Sequence, residues 1–133
     1  MVVLGGYLTA CEHGRAQFPV IYDPSEHEVL SALSDLRYSS GVLSLQIRPA
    51  PEVGAYEVVL HSEGGRFLVM LSQYLEDGEH GVSTIRGGGI GSGLVSFSGE
   101  MYPAQAITDD FDLVCKAFKS FLQLETPSPD IWV

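Results

Sequence analysis

Cationic side chains are scarce in this chain. Seven Lys and Arg stand against 17 Asp and Glu, a formal net charge of −10 over 133 residues. A nucleic-acid backbone would be repelled rather than neutralised by such a surface, which argues against nucleic acid as a ligand, and none is expected. An anionic bilayer is disfavoured by the same field. Cysteine is rarer still. Cys11 and Cys115 lie far apart and have no ligand-type spacing. They read as two unpaired buried thiols in a reducing compartment, with a disulfide as the alternative. No apolar run is long enough to span a bilayer. Val2-Val3-Leu4 is broken at once by Gly5-Gly6, so the start lacks the basic-then-apolar order of a signal segment, and a cytoplasmic protein without membrane partners is expected.

Recognisable catalytic and metal patterns are lacking too. His13, His27, His61 and His80 are scattered, with no paired ligand spacing and no third ligand, so no metal or other cofactor is expected. No serine sits in a Gly-x-Ser-x-Gly elbow. The run Gly87-Gly88-Gly89-Ile90-Gly91-Ser92-Gly93 is not followed by Gly-Lys-Ser/Thr. The next element reads as a strand rather than a helix, so the run is a loop or bulged hairpin and not a phosphate cradle. It is also a candidate for ordering on a partner. Seventeen carboxylates offer no identifiable catalytic pair. No catalytic residue is assigned, and the chain is expected not to be an enzyme.

What is present is an apolar content of 45 %, too high for a disordered chain and sufficient for one hydrophobic core. Residues 2–10 and 17–22 read as short strands, the second at an edge because of Pro19. Asp23 as N-cap, Pro24 at the first helical position and Glu26 three residues after the cap open a first helix. Its stripe is Val29, Leu30, Leu33 and Leu36, and Ser39-Ser40-Gly41 stops it. Strands then follow over 42–48, 56–62, 67–71, 81–86 and 93–98. Hairpin turns are signalled at Glu63-Gly64-Gly65 and Asp77-Gly78. Phe67 to Leu71 is apolar at every position, which predicts a central strand covered on both faces. Thr108 as N-cap and the spacing of Phe111, Val114, Phe118, Phe121 and Leu122 give a second helix. That helix must end before Pro127 and Pro129. Short loops between successive strands mean antiparallel pairing. The expected fold is α+β: a single domain over 1–133, with an antiparallel, meander-like sheet and two main helices packed on it. Ile131-Trp132-Val133 reads as a short closing strand. Trp132, the one tryptophan, reads as a core plug, with a partner hot spot as the alternative.

The C-terminal third carries Glu100, Pro103, Ile107, the pair Phe121-Leu122, Pro127 and the pair Ile131-Trp132. In type and order these residues resemble the Imm1 family of bacterial immunity proteins. The resemblance implies a protein that performs no chemistry. It would bind a cognate toxin domain, a deaminase or nuclease, and neutralise it by stoichiometric occlusion. A nucleic-acid-acting toxin is basic, and an electronegative inhibitor would be steered onto it.

Within that frame the acidic tip Glu76-Asp77-Gly78-Glu79, with Tyr74 just before it, is the candidate contact surface, extended by Glu52, Glu57 and Glu63. Carboxylates would pair with Arg or Lys of the toxin while Tyr74 supplies buried area. The plain alternative is a solvated turn. Two other functions stay open: a small hydrolase or transferase with an unrecognised site, and a regulatory homodimer joined through an exposed strand edge.

Overall fold

A computed structural model describes residues 1–11, 14–87 and 93–133. His13, the side chain of Cys11 and residues 88–92 of the glycine-rich run lie outside the described residues. Among the described residues the chain runs β1 (Val2–Cys11), β2 (Gly14–Gln17), β3 (Ile21–Tyr22), α1 (Glu26–Leu36), β4 (Gly41–Ile47), β5 (Gly54–Glu63) and β6 (Arg66–Tyr74). It continues through β7 (His80–Thr84), β8 (Leu94–Phe97), β9 (Glu100–Pro103), β10 (Ile107–Thr108) and α2 (Phe111–Leu122). The fold is α+β, a single domain with an antiparallel sheet and two helices. No helix among the described residues is long and apolar enough to cross a membrane.

The centre of the sheet is β6-β5-β4-β1, every pair antiparallel. β2 and β3 share the outer edge of β1. β7 and β10 share the outer edge of β6. The meander β4 to β7 follows chain order because its turns are short. Glu63 pairs with Arg66 around Gly64 and Gly65, whose φ values of 55° and 90° suit the two-residue turns that match strand twist.

Alternation decides which side each residue takes. Leu4, Leu43, Leu45, Val58, Leu60, Phe67, Val69 and Leu71 form one layer with Val29, Leu33 and Leu36 of α1 and Val114, Ala117, Phe118 and Phe121 of α2. Both helices therefore cover the same face. On the opposite face Leu68, with Met70 beside it, packs against Phe97, Val95 and Tyr102 of the β8–β9 hairpin, Ala106 of the turn that follows and Ile107 of β10. The all-apolar run in β6 is thus buried from both sides, as its composition predicts.

The helix caps differ from the sequence expectation. Ser25 caps α1: its Oγ accepts from the Glu28 amide at 3.1 Å, while Glu28 Oε1 accepts from the Ser25 amide at 3.0 Å. Asp23 is held elsewhere. Its carboxylate accepts from the Val2 amide at 3.0 Å, and its own amide donates to Val2 O at 2.7 Å. A partner on β1, far away in sequence, has taken the group that local spacing gave to the helix. In α2 the cap is Asp110, which accepts from the Leu113 amide at 3.1 Å. Thr108 lies in β10 and accepts from the Asp110 amide.

The C-terminal residues close the helix-covered layer as a single bridge rather than a strand. Trp132 pairs with Ile85, the Arg86 amide donates to Ile131 O at 2.7 Å, and the Val133 amide donates to Thr84 O at 3.0 Å. Trp132 is buried among the core residues, 6 % exposed. Cys115 is free and half-buried. Burial raises its thiol pKa, and Asp112 adds to the effect.

Candidate partner-binding surface

One end of the sheet is open. β4 stops at Ile47, β5 starts at Gly54, β6 finishes at Tyr74, and the C-terminal end of α2 lies across from them. Between these ends runs a groove of about 540 Å³. Ile47, Pro51, Val53, Leu75, Phe121 and Leu124 give it apolar walls. Val53, Leu75 and Leu124 are 54 %, 40 % and 68 % exposed, so apolar side chains there face solvent at one site rather than singly. Among the lining residues Glu76 and Glu125 carry charge, and both are negative. Glu52 sits between the lining residues Pro51 and Val53.

The wall from α2 is shaped by the way the helix ends. The Glu125 amide donates to Ser120 O at 3.1 Å and the Leu124 amide to Phe121 O at 3.0 Å. That paired pattern is a Schellman stop, whose terminal residue adopts a left-handed conformation and is usually glycine. Here the position is Leu124, at φ 57°.

Tyr74 and Glu76 both belong to the groove wall. Asp77 is exposed at the β6–β7 turn and stiffens it, its carboxylate accepting from the Glu79 amide at 2.9 Å. Glu79 is exposed beside it. Glu57 is half-buried on the face away from the helices, opposite Gln46 and Ser72. Tyr74, Glu76, Asp77 and Glu79 are therefore one surface, with Glu57 further along the sheet.

Glu63 is not part of it. It lies at the other end of β5, six residues from Glu57, or about 20 Å of extended strand. There Glu63 Oε2 accepts from the Ser98 amide at 2.6 Å, and Glu63 Oε1 pairs with Arg66 at 3.6 Å. Arg66 in turn donates to Ser96 O and stands 5.6 Å from the centre of the Phe97 ring. Glu63 thus fastens the β8–β9 hairpin to the sheet.

A bulge sharpens the acidic end. Ala55 pairs with Gln73 and Glu57 with Ser72, which leaves Tyr56 as the extra residue. Its ring stacks on Tyr74 at 4.7 Å, and its hydroxyl makes a 2.6 Å hydrogen bond with His80 Nε2. The three aromatic rings brace the turn that carries Glu76, Asp77 and Glu79. Tyr74 and the acidic tip adjoin in sequence, whereas Ile47, Leu124, Glu125 and Pro127 come beside them only through the fold, because the groove joins three distant segments. The local clue was a leucine where the helix stop favours glycine.

His61 is half-buried on the face carrying the β8–β9 hairpin. Burial holds it below the ordinary histidine range, while Glu100 pulls the other way. Glu100 also accepts from the Tyr102 hydroxyl at 3.0 Å, and that bond raises the Tyr102 pKa. A second hollow, of about 230 Å³, lies between β3 and α1 and is lined by His27, Glu28, Ser31 and Asp35 with apolar neighbours. The Glu28 carboxylate there is committed to the α1 cap.

Fold and surface define a single-domain α+β protein with one helix-covered sheet face and an acid-rimmed apolar groove at the sheet end. The chain belongs to a family of unknown function, DUF6911, whose sequence model matches residues 1–131. It is similar to a hypothetical protein from Neisseria gonorrhoeae known from a crystal structure. Identity is 25 %, the match covers 96 % of this chain and 90 % of that one, and the TM-score is 0.82. Among curated proteins, none matches this chain.

Proposed function

We propose that this chain is an immunity protein that binds one cognate basic toxin domain, a deaminase or nuclease, and neutralises it by stoichiometric occlusion. The observation that carries the proposal is the continuity of the exposed acidic β6–β7 turn with an open apolar groove, Tyr74 and Glu76 belonging to both. Interfaces combine an apolar, aromatic centre with a charged rim, and this end of the molecule offers both. A net charge of −10 accelerates encounter with a cationic partner. The likeness of Glu100, Pro103, Ile107, Phe121-Leu122, Pro127 and Ile131-Trp132 to the Imm1 pattern supports the same assignment. Because the bound state would be stoichiometric, cytoplasmic co-expression with the toxin is part of the proposal.

The test mixes the purified chain with the toxin domain encoded by the adjacent gene. Calorimetry should give a one-to-one complex whose association slows as salt is raised. Co-expression should restore growth to cells making the toxin. Absence of both binding and protection refutes the proposal.

A further inference from the structure

We infer that the groove ending at Leu124 is the seat for a cationic, apolar-anchored segment of the partner protein, and that Leu124 is held there for docking rather than for folding. The inference rests on the immunity proposal for the identity of the partner. Three independent features point to that occupant. The groove volume of about 540 Å³ suits one or two large side chains. Both charged residues in its lining, Glu76 and Glu125, are acidic, and Asp77 and Glu79 continue that sign along the adjoining turn. An arriving segment with Lys or Arg beside its apolar anchor is matched in charge, whereas an acidic segment is rejected.

The third feature is the helix stop. Leucine in a left-handed conformation is strained, and glycine relieves that strain at this position. Strain of this kind persists where the surrounding structure imposes it, and it clusters at sites that clamp ligands. Core packing does not account for it here, because Leu124 is 68 % exposed. Its side chain instead forms part of the groove wall, beside Phe121 and Pro127. A hot-spot contact for an apolar anchor accounts for both the exposure and the strained backbone.

The experiment uses the full chain and the toxin domain encoded by the adjacent gene as probe. Leu124→Gly and Leu124→Asn both suit the left-handed backbone and remove the apolar wall. A third variant carries Glu76→Gln and Glu125→Gln. Each is measured for melting temperature and for toxin affinity and association rate. The expected result is that both Leu124 variants melt no lower than the native chain yet bind at least tenfold more weakly, mainly through faster dissociation. The double glutamine variant should melt unchanged, associate several-fold more slowly and lose part of its salt dependence. If the native chain binds and all three variants bind within twofold of it, the partner sits elsewhere. The groove inference then falls while the immunity proposal stands. If both Leu124 variants melt clearly lower, the side chain is structural and the inference is likewise overturned. If the native chain does not bind the toxin domain, this occupant falls, and if co-expression gives no protection either, the immunity proposal falls with it.

Discussion

Replacing Trp132 with alanine tests whether the C-terminal residues close the core. The side chain is 6 % exposed and packs in the same layer as both helices. A buried tryptophan removes about 200 Å² from water. At about 25 cal/mol per Å² that is ~5 kcal/mol, trimmed to about 4 kcal/mol because real unfolded chains already hide part of their surface. Large-to-small changes of buried aromatics fall in the same range, roughly 3–5 kcal/mol. For 133 residues the unfolding entropy is ~0.28 kcal/mol/K, so the midpoint should drop by about 14 °C. Circular dichroism melts of the native chain and Trp132→Ala give the comparison, and denaturant titration gives the free energy directly. Trp132→Phe, which keeps an aromatic ring, should recover part of the loss. As the sole tryptophan, Trp132 also supplies its own probe: its emission should redden in step with the loss of secondary structure. A variant that melts within about 3 °C of the native chain would refute a core role and return Trp132 to the partner-contact reading.

Two further outcomes follow from the geometry. Gly41→Ala should cost about 2–3 kcal/mol in denaturant melts. The added Cβ would stand 2.2 Å from Tyr7 O and 2.7 Å from Leu36 Cδ2, and the strand oxygen cannot yield without breaking the β1–β4 pairing; an unchanged midpoint would contradict this packing. His61 holds its proton less tightly folded than unfolded because of burial. Its contribution is therefore complete above the unfolded value of about 6.5 and is lost as pH falls through the folded one. Denaturant melts from pH 8 to pH 5 should show the stability difference between the native chain and His61→Gln shrinking on acidification. A constant or growing difference would overturn this.

Much of the fold is legible in the sequence where the physics is local. The apolar run from Phe67 to Leu71 reports burial on both sides directly, since no position is left for water. Gly64-Gly65 and Asp77-Gly78 mark turns because left-handed backbone suits few other residues. The amphipathic spacings of α1 and α2 are equally plain. Local rules fail where a distant partner competes. Asp23 reads as a helix cap until the Val2 amide claims it, and the capping box then falls to Ser25 and Glu28. The position of β1 beside β4, with α1 between them in sequence, is set by long-range pairing that no short window contains. The candidate surface divides in the same way. Tyr74, Glu76, Asp77 and Glu79 are neighbours in sequence and in space. Glu63 was grouped with them by charge alone, and the length of β5 separates it. The groove needed the tertiary fold, because Ile47, Leu75 and Leu124 meet only once β4, β6 and α2 are in place.

Both borders of the sheet are divided between short pieces. β2 and β3 have four and two residues on one side, and β7 and β10 have five and two on the other. Among the described residues, neither border presents a long, flat row of free amides and carbonyls on which identical copies can stack. This segmentation guards against self-templated filaments while leaving the apolar groove at the sheet end open.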